Sequence, residues 1–193
     1  MANLLTLGRI ALIIPFVAAF LANAAWNMTA ALAIFVLAAL TDLLDGRVAR
    51  ARGEVSALGA ALDPLADKLL IAAALILLVR NGVVYGAGVI AVIVIILREI
   101  LVSGLREAVS GRGASLPVKP LAKWKTAAQL VAAGLLIAAA PSGPAGEALR
   151  PAAIGALWMA AALTFWTGAD YALAAARLLR DGDDGNRGRG RAQ

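Results

Sequence analysis

Four aspartates lie close together in the sequence, at the inner ends of two long apolar runs. Asp42 and Asp45 close the first run, and Asp63 and Asp67 open the second. Carboxylates beside a membrane span are costly and are seldom retained for structure alone. Carboxylate oxygens suit hard divalent cations such as Mg²⁺ or Mn²⁺. The spacing therefore predicts a site for divalent metals and a phosphate-bearing substrate.

The spacing within each pair places both carboxylates on one helical face. Asp42 and Asp45 are separated by three positions, and Asp63 and Asp67 by four. A short connection makes the two helices antiparallel neighbours, so the pairs are expected to converge. Four carboxylates carry a charge of about −4, which two divalent cations balance. A two-metal clamp suits in-line attack at phosphorus, because the metals neutralise charge on the phosphate oxygens.

The residues between the aspartates fit the same chemistry. Gly46, Ala49 and Gly59 are small enough to let a bulky group approach the backbone. Arg50 is placed to pair with a phosphate through its bidentate guanidinium group. The structural alternative is a set of interfacial charges that cap two spans. It explains one aspartate better than four at these spacings.

Composition limits the possible chemistry and favours a membrane protein. The chain has 193 residues, of which 62% are hydrophobic, whereas soluble domains contain about half apolar residues. It contains no cysteine and no histidine. Disulfides, zinc sites of Cys or His ligands, and Ser-His or Cys-His nucleophiles are therefore excluded. Acid–base catalysis must use Asp, Glu, Lys or Tyr.

Six apolar stretches, each close to the roughly 20 residues that span a bilayer, predict an all-α polytopic membrane protein with six transmembrane helices. The predicted helices cover residues 4–24, 28–50, 59–79, 83–108, 121–140 and 150–178. Residues 181–193 are rich in Gly, Asp and Arg, which predicts a disordered C-terminal tail. Residues 1–180 are then one membrane domain.

The basic residues predict the orientation of the chain in the membrane. Of 18 Lys and Arg residues, only Arg80 and Arg150 fall outside one set of alternate segments. By the positive-inside rule, both termini and the aspartates face the cytoplasm, which predicts a multi-pass protein of the cell (inner) membrane. The net charge of +6 is thus explained without nucleic acid. Cleavage after Ala22-Asn23-Ala24, as in a signal peptide, remains an alternative for the first span.

The aspartates and the residues between them form the pattern D-x2-D-G-x2-A-R-x8-G-x3-D-x3-D, which runs from Asp42 to Asp67. This pattern resembles the signature of the CDP-alcohol phosphatidyltransferases. Six spans with the motif across the second and third also match that family. The resemblance implies a reaction in which an alcohol hydroxyl attacks the β-phosphorus of a CDP-activated lipid and releases CMP.

The resemblance also implies roles for individual residues. Asp42, Asp45, Asp63 and Asp67 would surround two divalent metals, Mg²⁺ or Mn²⁺. Asp67 would be the general base that takes the hydroxyl proton, and Asp63 would be a second catalytic residue. Asn3 and Thr6 look like the family's N-terminal Asn-x-x-Thr element. The residues implied for CDP binding are Gly46, Ala49, Arg50, Gly59, Thr6 and Asn3.

A second polar segment interrupts the apolar pattern further along the chain. Glu99, Ser103 and Arg106 share one helical stripe, and Lys125 and Gln129 share another. A cationic pocket beside the metals would fit an alcohol that carries its own phosphate. Two alternatives stay open for this segment: anchoring at the membrane edge, and an internal ion pair of Arg98 with Glu99 that only stabilises packing.

Within the family, the segments Arg-Glu-x4-Gly-Leu-Arg-Glu from Arg98 and Lys-x-Lys-Thr-x2-Gln from Lys123 resemble members that join CDP-diacylglycerol to sn-glycerol 3-phosphate. The resemblance implies glycerol-phosphate ligands at Arg98, Arg106, Lys123 and Lys125. Ala122 departs from the pattern, since these members often have Gly there. A homodimer in the lipid bilayer is the assembly that the family implies.

Two rival functions remain open at this point. Another member of the same family would use serine, inositol phosphate or phosphatidylglycerol as its acceptor. A protein of a different class, an intramembrane cation transporter, would use the aspartates as an ion path. Transporters more often show inverted repeats or broken helices near the bilayer midplane, and the sequence shows no such repeat.

Overall fold

The computed structural model is helical throughout the part of the chain that it describes. It describes the backbone of residues 2–22, 24–52, 57–111 and 120–190, and the side chains of residues 8–22, 24–41, 68–111, 121 and 124–178. The helices are α1 Ala2–Leu21, α2 Asn27–Arg52, α3 Ala57–Arg80, α4 Gly88–Ser110, α5 Pro120–Ala138 and α6 Arg150–Gly190. A 3₁₀ turn at Glu147–Leu149 precedes α6. The predicted all-α class is confirmed for these residues, which contain no strand.

The start of α4 differs from its predicted position at residue 83. The helix begins at Gly88, because the chain turns before it and Gly82 and Gly86 adopt positive φ angles of 70° and 55°. Val83 and Val84 lie within this turn and are buried. Their apolar side chains therefore pack against the core from a connection and do not extend the helix.

The last helix continues beyond its predicted end at residue 178. The backbone of α6 is helical through Gly190, whereas residues 181–193 were predicted as a disordered tail. This segment contains no proline, the residue that interrupts helices most strongly. The division into a membrane domain over residues 1–180 and a disordered tail stays a prediction.

Hydrogen bonds join the connections at one end of the helix bundle. The bonds run from Asn81 Nδ2 to the Phe20 carbonyl at 3.3 Å, from Ser142 Oγ to Asn27 Oδ1 at 2.7 Å, and from Arg150 Nη2 to the Val83 carbonyl at 3.2 Å. They bring the ends of α1, α3 and α5 together with the starts of α2, α4 and α6. The opposite end therefore holds the end of α2, the start of α3 and the start of α5, which carry the aspartates and the basic segment.

Packing between the helices explains how α2 and α3 are held. Both helices contact α1 and both contact α5, while α6 packs against α4 and α5. The core contains the rings of Phe16, Phe20 and Phe35, with the centroids of Phe16 and Phe20 5.0 Å apart. Ala31 and Ala74 are fully buried, and such small side chains let membrane helices approach closely.

Five of the described helical stretches are apolar, and two of them are long enough to cross a membrane. Gly88–Ser110 and Glu147–Leu178 are long and apolar enough to cross one, and three shorter apolar helices are Gly8–Leu21, Asn27–Thr41 and Trp124–Ala138. Large apolar side chains of α4 and α6, such as Ile100 and Trp166, are exposed on the surface of the bundle. Such outward apolar faces fit contact with lipid, since lipid tails are themselves apolar.

Candidate functional site

The aspartate motif falls on two helices at the same end of the bundle. Asp42 and Asp45 lie near the end of α2, and Asp63 and Asp67 lie near the start of α3. Because the backbone is helical at all four positions, each pair shares a face of its helix. Their side chains lie outside the described residues. The convergence of the four carboxylates therefore stays a prediction.

The other motif residues are placed in the same way. Their backbone is helical, and their side chains lie outside the described part of the chain. The residues concerned are Asn3 and Thr6 on α1, Gly46, Ala49 and Arg50 on α2, Gly59 on α3, and Lys123 on α5. The described side chains contain no group of three or more acidic residues that could hold a metal. The metal site at the four aspartates therefore stays a prediction.

A cavity lies between α1, α2, α3 and α5, one helical turn from the aspartate positions. Its lining residues are Arg9, Ala38, Ala39, Leu70, Ile71, Thr126 and Leu130. Ala38 precedes Asp42 by four positions and Ile71 follows Asp67 by four, so these residues share faces with the two aspartates. Arg9 is only 2% exposed. A buried cation at this level is consistent with a neighbouring cluster of carboxylates, since buried charges require partners.

A buried polar layer connects α4, α5 and α6. We call it the Glu99 layer, and its members are Arg98, Glu99, Lys125, Gln129, Thr164 and Thr167. Glu99 Oε1 accepts a hydrogen bond from Lys125 Nζ, one from Arg98 Nη1 at 3.1 Å and one from Gln129 Nε2 at 3.2 Å. Three donors therefore converge on one carboxylate oxygen.

The Glu99 layer carries more positive than negative charge among the described residues. Arg98 is 8% exposed and Lys125 is 5% exposed, and both pair with the same carboxylate, Glu99. The Nε atom of Arg98 is buried and has no hydrogen-bond partner. Buried charge is costly unless it is compensated. The layer therefore provides an environment that favours an anionic group.

Two threonines of α6 complete the hydrogen bonding of the layer. Thr164 Oγ1 accepts from Gln129 Nε2 at 2.9 Å. Thr167 Oγ1 accepts from Arg98 Nη2 at 3.0 Å and donates to the Leu163 carbonyl at 2.8 Å. Because the hydroxyl proton of Thr167 is directed to its own helix, its oxygen is free to accept from the guanidinium group. The sixth helix thus holds Arg98 in place.

The layer is also connected to α3, beside the last aspartate of the motif. Lys68 Nζ donates to Ser103 Oγ at 2.5 Å, and Ser103 Oγ donates to the Glu99 carbonyl at 2.5 Å. Lys68 is the residue that follows Asp67. The cationic layer therefore lies next to the part of α3 that carries the proposed catalytic aspartates.

Tyr171 of α6 faces two arginines of α4. The Arg98 guanidinium carbon lies 5.8 Å from the centroid of the Tyr171 ring, and that of Arg106 lies 5.6 Å from it. Tyr171 is 4% exposed, whereas Arg106 is exposed. These distances are in the range of cation–π interactions. One aromatic ring therefore contacts an inner and an outer guanidinium group.

Of the residues predicted for the acceptor phosphate, the structure brings Arg98 and Lys125 together on Glu99, and Arg98 and Arg106 on Tyr171. The ion pair of Arg98 with Glu99, predicted as an alternative, is present. Their role as ligands stays a prediction.

The sequence patterns did not identify any site residue on α6. Its polar and small residues Thr164, Thr167, Gly168 and Tyr171 follow an i, i+3, i+4, i+7 stripe in an apolar helix. That stripe is the signal that would have indicated a buried polar face.

Comparison with known proteins gives the family. A family model described as CDP-alcohol phosphatidyltransferase matches residues 1–166. A protein of Arabidopsis thaliana named CDP-diacylglycerol–glycerol-3-phosphate 3-phosphatidyltransferase 2 is 41% identical over 176 residues, covering 86% of this chain and 75% of that protein. A protein of Cereibacter sphaeroides with the same enzyme name is 34% identical over 189 residues, covering 81% of this chain and 86% of that protein.

A relative with a different name is also similar. Cardiolipin synthase (CMP-forming) of Oryza sativa subsp. japonica is 37% identical over 177 residues, which cover 86% of this chain and 54% of that protein. The family model covers most of the chain and includes the whole aspartate motif. With the apolar helices, this match indicates a membrane-embedded enzyme. The chain belongs to the CDP-alcohol phosphatidyltransferase family.

Proposed function

We propose that the chain is a phosphatidylglycerophosphate synthase. It transfers the phosphatidyl group of CDP-diacylglycerol to sn-glycerol 3-phosphate and forms phosphatidylglycerophosphate and CMP. The family assignment supports the reaction class, and the names of the Arabidopsis and Cereibacter relatives support the two substrates. The observation that carries the choice of a phosphorylated acceptor is the excess positive charge of the Glu99 layer beside Lys68.

The charge of the layer separates serine from the acceptors that carry a phosphate group. Glycerol 3-phosphate carries about −1.5 to −2 at neutral pH, by analogy with other phosphate monoesters, and compensates both Lys125 and Arg98 beyond what Glu99 provides. Serine carries no net charge and would leave the layer positive. Inositol phosphate has the same charged group as glycerol 3-phosphate, so here the choice depends on the names of the relatives.

The proposed reaction assigns a task to each group of side chains. Arg98, Arg106, Lys123 and Lys125 bind the phosphate of the acceptor and orient its free hydroxyl. The hydroxyl oxygen forms a bond to the β-phosphorus of CDP-diacylglycerol while Asp67 accepts the hydroxyl proton. Asp63 is assigned as the second catalytic residue. The bond from that phosphorus to the bridging oxygen breaks, and CMP leaves with the electron pair.

The donor is bound by the remaining motif residues. Gly46, Ala49 and Gly59 let the CMP and diphosphate groups approach the helix backbone. Arg50 pairs with the diphosphate through its two parallel N–H donors. Asn3 and Thr6 lie near the start of α1, at the same end of the bundle, and are proposed to contact the nucleotide.

The metal requirement follows from the donor set. The family generally depends on divalent metal ions. The chain offers no Cys or His, and its four motif aspartates lie on two helices, near the end of α2 and the start of α3. Two Mg²⁺ or Mn²⁺ ions held by Asp42, Asp45, Asp63 and Asp67 would neutralise charge on the phosphate oxygens. Chelation with EDTA is expected to stop CMP release, and added Mg²⁺ to restore it.

The proposed membrane arrangement has six spans, both termini in the cytoplasm and the aspartates facing the cytoplasm from the inner membrane. The helix ends joined by Asn81, Ser142 and Arg150 support this arrangement, because they carry Arg80 and Arg150 and few other charges. A homodimer is proposed from the family. Since the chain has no cysteine, single Cys substitutions at Ser110 and Pro144 test sidedness, and we expect labelling from opposite sides of the membrane.

The experiment that tests the proposed function is an acceptor panel. Purified protein in detergent is given CDP-diacylglycerol, Mg²⁺ and one of four acceptors: sn-glycerol 3-phosphate, serine, inositol phosphate or phosphatidylglycerol. We expect CMP release and a lipid product with glycerol 3-phosphate, and neither with Asp63→Asn. A product with another acceptor and none with glycerol 3-phosphate would contradict the proposal. Absence of CMP release with every acceptor would also contradict the proposal.

A further inference from the structure

We propose that Gly168 and Tyr171 are positioning residues that hold Arg98 and Arg106 as a pair for the phosphate of the acceptor. This inference rests on the proposed function, since it assumes that the two arginines bind glycerol 3-phosphate. Both residues lie on α6, beyond residue 166, where the match to the family model ends. The recognition of the acceptor would then depend on a helix face that the aspartate motif does not include.

Gly168 provides the space in which the stem of Arg98 lies. A Cβ atom at this position would lie 2.6 Å from Arg98 Cγ and 3.2 Å from Arg98 Nε. The first distance is shorter than real Cβ contacts and the second is tighter than most of them, so the arginine would have to move. The movement is restricted because the guanidinium group is bonded to Glu99 on one side and to Thr167 on the other. Any side chain at residue 168 therefore displaces Arg98.

Tyr171 contacts both arginines through one ring. Arg98 and Arg106 are eight residues apart on α4, which corresponds to about 12 Å along the helix axis. Both guanidinium carbons nevertheless lie within 6 Å of the Tyr171 ring centroid. The ring is buried, and its negative face attracts both cations although they repel each other. The Tyr171 ring is thus a contact that both guanidinium groups share.

Two residues from α4 arranged in this way fit a phosphate monoester. Guanidinium groups bind phosphate oxygens in parallel pairs of hydrogen bonds, and Arg98 Nε is a buried donor without a partner. Arg106 is exposed and approaches from the outer side. Replacement of Gly168 or of the Tyr171 ring is therefore expected to weaken binding of the acceptor, while CDP-diacylglycerol binds elsewhere.

The first test compares two glycine substitutions in the same helix. Gly168→Ala is expected to raise the KM for sn-glycerol 3-phosphate at least about tenfold, the effect of losing one charge-assisted hydrogen bond. The KM for CDP-diacylglycerol should change by less than about twofold, because the substitution removes no hydrogen bond to this substrate. Gly155→Ala is the matched control, because nothing lies within 4 Å of a Cβ at that position. Equal KM values in both variants would overturn the inference.

The second test does not depend on how Gly168→Ala folds. Tyr171→Leu is expected to raise the KM for glycerol 3-phosphate with little change in the KM for CDP-diacylglycerol. Tyr171→Phe keeps the ring and is expected to have the wild-type KM for glycerol 3-phosphate. Tyr85→Leu is the control, since Tyr85 contacts Arg150 in the same way, at 4.5 Å, at the opposite end of the bundle. A Phe variant as impaired as the Leu variant would overturn the role of the ring.

The two proposals fail in different ways. If the wild-type protein shows no transfer to glycerol 3-phosphate, the proposed function is wrong and the inference is overturned with it. If the wild-type protein uses glycerol 3-phosphate but both α6 variants keep its KM, the inference alone is overturned.

Discussion

Among the residues whose side chains are described, Glu99 is the carboxylate that pairs with two buried cations, and its neutralisation should destabilise the protein strongly. Glu99→Gln keeps the shape of the side chain and one accepting oxygen but removes the negative charge. Lys125 and Arg98 would then remain buried without a carboxylate partner among the described residues. The predicted effect is therefore dominated by two uncompensated cations and not by lost packing.

The expected magnitude follows from the burial of the pair. Removing one partner of a buried ion pair costs about 3–5 kcal/mol. Native proteins are stable by about 5–15 kcal/mol, so the loss is a large fraction of the free energy of unfolding. Lys125→Met should cost less, about 1–3 kcal/mol, because Glu99 keeps its bonds to Arg98 and Gln129.

The double variant separates charge excess from lost contacts. Glu99→Gln with Lys125→Met contains one uncompensated cation, whereas Glu99→Gln alone contains two. The double variant should therefore be more stable than Glu99→Gln, which requires a coupling energy larger than the Lys125→Met loss, near the upper end of the usual range of about 0.5–3 kcal/mol. If each side chain contributed only its own contacts, the two losses would add.

The assay is reversible unfolding in mixed detergent and SDS micelles, followed by the far-ultraviolet circular dichroism of the helices. The free energy of unfolding is measured for the wild type, both single variants and the double variant. A Lys125→Met loss equal to or larger than the Glu99→Gln loss would refute the reasoning, and so would a double variant that is less stable than either single variant.

Three further predictions use other contacts. Asp67→Asn should lower kcat about 10²- to 10⁴-fold, the usual contribution of a general base, and near-normal turnover in a CMP-release assay would contradict the assignment. Thr164→Val should lower the free energy of unfolding by about 1–3 kcal/mol, because it leaves a buried N–H of Gln129 without its acceptor, and Thr164→Ser should not. Arg150→Ala should cost about 1–3 kcal/mol, since it removes the partly buried hydrogen bond to the Val83 carbonyl and the contact with the exposed Tyr85 ring, and CMP release should be unchanged.

The helices were predictable because their apolar stretches are long and their connections contain breaking residues. The predicted start of α4 was wrong because the residues before this helix are apolar and buried without being helical. Val83 and Val84 are apolar as in a helix, but they belong to a turn that the positive φ angles of Gly82 and Gly86 require. A connection that packs into the core has the same composition as a helix start, so the sequence alone does not separate the two.

The polar layer was predictable in part. Arg98 and Lys125 were identified because charges inside apolar helices are rare and indicate function. Their shared partner was not, because the approach of α4 to α5 is a tertiary contact. Thr167 and Gly168 of α6 were missed because Thr and Gly are common in membrane helices. Only the contact with Arg98 gives them a distinct role.

The aspartate motif was identified from its spacing and from a family resemblance. The match to the family model supports the resemblance. The helical backbone at Asp42, Asp45, Asp63 and Asp67 agrees with the predicted sharing of faces. The distances between the four carboxylates depend on how α2 and α3 approach at their ends. Local sequence does not determine that approach, because α1 and α5 position both helices.

Glycerol and sn-glycerol 3-phosphate differ only in a phosphate group, and their comparison as acceptors is a direct test of the role of the Glu99 layer. The claim is that the Glu99 layer selects an alcohol that carries its own anionic group. We expect kcat/KM with sn-glycerol 3-phosphate to exceed that with glycerol by at least about 100-fold, since two charge-assisted bonds are lost with the phosphate. Lys125→Met should reduce this ratio. Equal kcat/KM values for the two acceptors, or a ratio that Lys125→Met leaves unchanged, would contradict the account.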